Sequence, residues 1–255
     1  MPTAYLKNWL PPAFFFILFI GAWEGVIHYF EIPEYLVPPP TTIFSVIVTD
    51  FTILSMNTLI TMLEAFAGFA IANFFGILLA IVFAHSQTVE RTIYPYAIAF
   101  KAIPLVAIAP LLILWFGSGI LGKMIMAATI SFFPILVNAT IGLKSIDSEA
   151  LDLMNSLSAS KMQILLKVRF PTSLPFIFSA FKISSTLSVI GAIVAEMAGA
   201  NQGIGHIIMM ASYRMETPTL FAGIFAASLG GIFFFCLIAF IEKQILTWHE
   251  SMKTV

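Results

Sequence analysis

Long apolar runs, separated by short polar breaks, dictate what this chain can fold into. They cover Leu10–Tyr29, Asn57–Ala84, Ile93–Phe116, Ile120–Leu143, Ser173–Met197 and Thr217–Ile241. A helix needs roughly 20 mostly apolar residues to cross the hydrocarbon core of a bilayer, and each run supplies about that many. Inside lipid only helices and closed barrels satisfy the backbone polar groups, and runs this long without alternation read as helices. The expected fold is therefore all-α, a polytopic membrane protein of about six transmembrane helices. It forms a single domain over residues 1–255, with a first span at 10–29 and a core at 57–241. Charged residues are 10% of the chain and apolar residues 60%. A soluble domain carries about 25% charged residues, so the apolar excess has to face lipid. Lys7 and the run after it imitate a signal peptide, but apolar character continues past Trp23 with no small-x-small cleavage site. The segment reads as an uncleaved first span.

Basic residues orient the spans, since cytoplasmic flanks carry the excess of Lys and Arg. With the N-terminus inside, the inner flanks hold Lys7, Arg91, Lys144, Lys161, Lys167, Arg169, Lys243 and Lys253, and the outer flanks hold Lys123 and Arg214. Lys101 and Lys182 fall within spans, near ends from which they can snorkel to the inner interface. Both termini are expected in the cytoplasm, with Trp248 at the inner interface. The outer segment Val37–Phe51 opens with three prolines, after which Thr41 or Thr42 can cap a short surface helix.

The long interruption, DSEALDLMNSLSASKMQILLKVRFPTSLP from Asp147 to Pro175, is then cytoplasmic. Asp147 or Ser148 can cap a first short helix with Ala150, Leu151, Met154 and Leu157 on its apolar face. Ser160-x-x-Gln163 has the form of a capping box for a second, with Ile164, Leu165 and Val168 on one side, Lys161, Lys167 and Arg169 able to face water, lipid headgroups or an acidic partner, and Pro171 ending it. Residue physics gives two readings of this pair, a docking element for something outside the lipid or an amphipathic helix lying on the membrane surface.

Ionisable and kinking residues inside spans are costly and mark pathways or packing devices. Glu64 in the second span either lines a solute pathway or makes a structural hydrogen bond. Pro95, Pro104 and Pro110 break the third span, as a pathway wall or for packing. Ser188 and Glu196 lie in the fifth span. Glu196 either lines an outer gate or caps the turn that follows it. Gly191, Ala192, Ala195, Ala198 and Gly199 allow close helix approach there.

Several chemistries find no support. Net charge is -1, which gives no reason to expect nucleic acid. Cys236 is the single cysteine, and His28, His85, His206 and His249 fall near opposite span ends with no paired spacing, so no metal site is expected. No G-x-S-x-G and no Ser–His pair lies in a span, and no catalytic residue is assigned. Gly117–Met124, GSGILGKM, nearly spells a phosphate-binding loop, but Met124 lacks the hydroxyl that holds magnesium.

The cytoplasmic segment resembles the E-A-A-x-x-x-G-x(9)-I-x-L-P signature of permease subunits of bacterial ATP-binding-cassette importers. Asp152 falls at the Glu, Ser158 at the Gly, Val168 at the Ile, and Phe170 and Pro171 at the Leu-Pro pair, without a gap. Leu153 and Met154 replace the alanines. Glycine would take a left-handed backbone at the corner without cost and serine does not, so the geometry at Ser158 is open. IPLVAIAPLLILWFGSGILGKMIMAATISFFPILVNATIGL and AEMAGANQGIGHIIMMAS are similar to the nitrate, sulfonate and taurine branch, which also contains transporters of thiamine-precursor pyrimidines and of riboflavin. The similarity runs from Pro38 onward, and Glu64 resembles the pyrimidine and flavin side.

What the resemblance implies is a type I importer-like fold with a coupling helix between the fourth and fifth spans, in residues 147–171. It implies a permease without its own ATPase site, moving a small solute inward by alternating access in a bacterial inner membrane. Partners would be two cytoplasmic ATP-binding subunits, which hold ATP and magnesium, a second permease copy or paralogue, and an external solute-binding protein. The ATPase would dock on Glu149, Asp152, Met154, Ser158, Ala159, Ser160, Lys161 and Pro171. The pathway would pass Glu64, Pro104, Pro110, Ser188 and Glu196. A pyrimidine or flavin-like solute is expected, with a sulfonate, taurine or nitrate as the alternative. A membrane scaffold or enzyme subunit is the alternative of another class.

Overall fold

A computed structural model describes residues 2–247, with the backbone alone for residues 2–9, Lys101 and Leu105. Trp248, His249, Lys253 and the chain ends, on which part of the topology rests, lie outside the described residues, as do the side chains of Lys7 and Lys101. The described residues are helical almost throughout. In order they form α1 (Pro2–Tyr29), α2 (Pro40–Thr49), α3 (Phe51–His85), α4 (Gln87–Lys101), α5 (Leu105–Phe116), α6 (Ile120–Lys144), α7 (Ser148–Ser156), α8 (Lys161–Ile164), α9 (Phe170–Met197), α10 (Ile204–Tyr213) and α11 (Thr217–Ile245).

Five helical segments are long and apolar enough to cross a membrane: 10–29 of α1, α3, α6, the helix from Lys161 to Met197, and α11. The expected third span, Ile93–Phe116, is two helices instead, α4 and α5, parted at Ala102–Pro104. Pro104 has no N–H to give, and its ring drives Ile103 out of the helical region. Pro95 and Pro110 sit inside α4 and α5 without breaking them, so of the three prolines only Pro104 divides the span.

Pro171 does not end a helix, contrary to the expectation. The chain runs helically from Lys161 to Met197 through a π turn at Leu165–Arg169, and Phe170 N donates to Leu165 O, five residues back. A proline in a helix crowds the carbonyl four residues before it. The wider turn just ahead of Pro171 provides room, and Pro171 becomes a first-turn residue of α9.

The centre is α6 held between α3 and α9. A Cβ on Gly68 of α3 would lie 2.4 Å from Ala127 Cβ, and one on Gly191 of α9 would lie 2.7 Å from Ala127 Cα. Only glycine lets both neighbours press on Ala127, the small-residue contact by which membrane helices pack closely. Deeper in the same seam Ser184 Oγ donates to Ser131 O at 3.0 Å, and Ser131 Oγ lies 3.3 Å from Ser184 O. Phe69, Phe178 and Phe234 fill one core layer, and Phe83, Leu136, Leu143 and Ile177 fill another. Phe14, Phe15 and Ile17 of α1 and Ile232, Phe233 and Phe240 of α11 are exposed on the outside, the arrangement lipid requires. The expected outer helix is α2, which starts at Pro40 after Pro39 without a threonine cap. Thr41 instead gives its N–H and its Oγ1–H to Glu24 of α1, at 3.1 and 2.7 Å.

Candidate functional site

The chemistry-bearing side chains gather at the two ends of the bundle. At the end where α3 and α6 finish, α7 and α8 make a corner. Leu157 N donates to Leu153 O, Ser158 N to Asn155 O at 2.9 Å, and Ala159 N to Met154 O at 3.0 Å. The last two are the paired bonds that close a helix with one left-handed residue after it. That residue is Ser158, at φ 53°, so serine takes the conformation expected of glycine. Asp147 precedes α7 without a side-chain cap. The capping box of α8 is present: Gln163 N donates to Ser160 Oγ at 3.3 Å and Ser160 N to Gln163 Oε1 at 2.7 Å.

Glu149, Asp152, Met154, Ser158, Ala159, Ser160 and Lys161 all fall on α7, the corner or the start of α8, and the two acids and Lys161 are exposed. Pro171 lies apart, in the first turn of α9. Leu153, Leu157 and Met162 project from the corner at 60%, 69% and 62% exposure. Arg169 does not face water as expected. Its Nη1 donates to Ala84 O at 3.0 Å and Leu143 O at 3.3 Å, carbonyls in the last turns of α3 and α6 that have no partner within their own helices. A cation at two helix C-termini also meets the negative ends of both dipoles. Lys144 pairs with Glu90 of α4, and Lys182 pairs with Glu242 of α11 at 2.7 Å.

At the opposite end Glu64 of α3 accepts from Lys123 of α6 at 2.6 Å, with both residues over nine-tenths buried. Lys123 is therefore not the outer-flank residue that the charge pattern predicted. A lysine one turn inside an apolar helix cannot stay unpaired in lipid, and Glu64 is its partner. Oε2 of Glu64 has no hydrogen bond, and the carboxyl of Glu196 lies near enough to act on Glu64 electrostatically. Glu196 does cap the following turn. Its Oε1 accepts from Thr61 Oγ1 and its Oε2 from Gly205 N, both at 2.7 Å. Thr61 Oγ1 accepts from Ile204 N at 2.9 Å, and Asn57 Oδ1 from Gly203 N at 2.8 Å. The first N–H groups of α10 thus find side chains of α3 and α9, as a helix N-terminus requires. Gly203, at φ 106°, leaves room for Glu196, whose Oε1 would lie 2.0 Å from an added Cβ.

A cavity of about 440 Å³ opens over this cluster. Its walls include Leu63 and Glu64 of α3, Ser118 of the α5–α6 turn, Lys123 in the first turn of α6, and Asn201 and Gln202 of the α9–α10 turn. Of the expected pathway residues, the structure brings together Glu64, in the wall, and Glu196 behind it. Pro104 and Pro110 are exposed on the broken span, and Ser188 is fully buried with its Oγ donating to Ser185 O. None of these three is in the cavity wall. Lys123, Thr61, Asn57 and Arg169 were missed as site residues. A signal existed for Lys123, since a basic residue inside an apolar run needs a carboxylate at its own depth. Arg169 and Asn57 carried none, because their partners are backbone groups far away in sequence.

Residues 72–247 match the family described as binding-protein-dependent transport system inner membrane component. The chain is 34% identical to the formylaminopyrimidine transport permease protein ThiX of Halalkalibacterium halodurans, over 95% of this chain and 97% of that one. It is 30% identical to the riboflavin transport system permease protein RibX of Chloroflexus aurantiacus, over 92% and 88% of the two chains. A solved structure of inward-facing MetNI, a methionine ATP-binding-cassette transporter, superposes with a TM-score of 0.62 at 18% identity, covering 76% of this chain and 95% of that one.

Proposed function

Since the chain belongs to the family of binding-protein-dependent transport system inner membrane components, as the permease subunit of an ATP-binding-cassette importer, we propose that it carries a small nitrogen-heterocyclic solute of the pyrimidine or flavin kind into the cell. ATP and magnesium act on a separate ATPase. Two such subunits dock beneath a pair of permeases, a solute-binding protein delivers from outside, and the chain sits in a bacterial inner membrane with both ends in the cytoplasm. The ThiX and RibX likenesses support the solute class; sulfonate, taurine or nitrate is the alternative.

The observation that carries the coupling role is the corner at Ser158. It exposes Leu153, Leu157 and Met162 on an element fixed by a left-handed serine and a capping box. Apolar side chains on a rigid protrusion are what a groove on a partner can grip. Docking is favoured over lying in the headgroups because Arg169 ties this element to the ends of α3 and α6. Motion there reaches the spans.

The test is reconstitution in proteoliposomes with the ATPase and the solute-binding protein. Wild type is expected to accumulate an aminopyrimidine only with ATP inside reach of the ATPase. The double substitution Leu153→Asp, Leu157→Asp is expected to abolish co-purification of the ATPase and all ATP-dependent uptake. Intact uptake in that variant overturns the coupling role. Equilibration without ATP, with no accumulation above the outside concentration, indicates a channel, and no solute movement at all favours a scaffold or enzyme subunit.

A further inference from the structure

The helix from Lys161 to Met197 holds one residue more than a regular α-helix can keep in phase, and the surplus decides which way the cytoplasmic corner faces. An α-helix turns by about 100° per residue. On a regular helix Leu165 would lie about 80° from Ser173 and about 120° from Ile177, off the stripe that α9 buries. Leu165 is instead buried at 7% exposure, in one core layer with Ile177, Leu136 and Leu143. The π turn at Leu165–Arg169 takes up one residue without advancing the phase. With one step fewer, Ser173 and Ile177, both buried, fall within about 20° of Leu165.

The residue after Leu165 is also a leucine. On a regular helix Leu166 would stand within about 20° of Ser173 and Ile177, in the place that Leu165 fills, and Leu165 would turn outward. In the π register Leu166 is 58% exposed. Exchanging one leucine for the other leaves the buried apolar area nearly unchanged, so burial does not choose between the two registers. Arg169 does not choose either, because it sits at the α9 end of the π turn and keeps its phase in both. Pro171 does choose. In the regular register Lys167 O would meet the Pro171 ring four residues on, with no N–H there to bond it. In the π turn Phe170 N bonds Leu165 O instead. Pro110 and Pro134 lie inside α5 and α6 without such a turn, so a proline does not by itself demand one. Between registers of equal burial it is enough to decide.

The consequence falls on the other side of the turn. α8 and the corner at Ser158 precede it in the chain, so a change of one residue turns them by about 100° about the helix axis and draws them in by about 1.5 Å. We propose that Pro171 is a positioning residue, which holds the π turn and thereby sets the rotational phase at which the corner meets the ATPase. The partner in this proposal rests on the importer reading above; the phase does not.

Cysteine labelling reads the phase without ATP or transport. In the purified complete transporter with Cys236 replaced by serine, Leu165→Cys is expected to react with maleimide severalfold more slowly than Leu166→Cys. Pro171→Ala is expected to reverse that order and to lower ATP-dependent uptake severalfold. Deleting Lys167 from the Pro171→Ala protein removes the surplus residue and lets a regular helix carry the original phase, so it is expected to restore both the labelling order and the uptake. An unchanged order in Pro171→Ala, a reversed order with uptake intact, or a failure of the deletion to restore order and uptake together overturns the proposal. Should Pro171→Ala not assemble, the deletion decides alone: recovered assembly with Leu165→Cys protected supports the proposal, and no recovery overturns it. Absence of ATP-dependent uptake in the protein without these changes counts against the importer reading, and the labelling order still decides the phase.

Discussion

Ser158 spends conformational energy where the family signature has glycine. Left-handed backbone costs a residue with a Cβ roughly 1–2 kcal/mol, and Ser158 holds φ 53° because the two bonds from Ser158 N and Ala159 N close α7 there. Ser158→Gly is expected to raise stability by about 1 kcal/mol with coupling unchanged. Ser158→Val, whose branched side chain resists this region, is expected to lower both the unfolding temperature and the ATPase-coupled uptake rate. Thermal unfolding in detergent beside proteoliposome uptake checks both. The Glu64–Lys123 pair makes the opposite demand. Lys123→Met leaves a buried carboxylate unpaired and is expected to destabilise by about 3–5 kcal/mol. Adding Glu64→Gln to it removes the stranded charge and is expected to recover most of that loss, measured by the same melts.

Helices were legible from the sequence wherever one rule acted alone. Apolar length marked α1, α3, α6, α9 and α11, and the Ser160–Gln163 pattern located the start of α8. Reading failed where two rules met. Pro171 looked like a stop because the widening of the turn before it leaves no mark in composition, and the third span was expected as one span broken at three prolines because Pro95, Pro104 and Pro110 carry equal weight on paper. Arg169 joins the π turn to the ends of α3 and α6. Arg169→Gln removes the charge that holds Ala84 O and Leu143 O. ATP hydrolysis is expected to persist while uptake per ATP falls severalfold, and Arg169→Lys is expected to restore it only in part, since a single ammonium lacks the planar fork. The seam at Ala127 is tighter still. Gly191→Ala places a methyl against Ala127 Cα and is expected to cost about 1–3 kcal/mol, read as a lower unfolding temperature.

At the scale of the molecule, the all-helical, membrane-spanning class followed from composition, whereas the site did not. Glu64 and Glu196 were singled out one at a time, and nothing in the sequence brought them to one cluster. Their meeting depends on how α3, α6 and α9 pack, with Asn57 and Thr61 holding the α9–α10 turn in place. The helix from Lys161 to Met197 links the two ends of the protein. Its 37 residues span about 55 Å at 1.5 Å per residue, with the capping box at one tip and Glu196 at the other. One degree of tilt about its midpoint carries each tip by about half an ångström, and two degrees carry it by about 1 Å. That displacement suffices to take a 2.7 Å bond from Thr61 or Gly205 beyond useful range. A swing of the corner tip by about 1 Å would therefore reach the far tip undiminished, and release of the bonds that Glu196 makes there is its expected consequence.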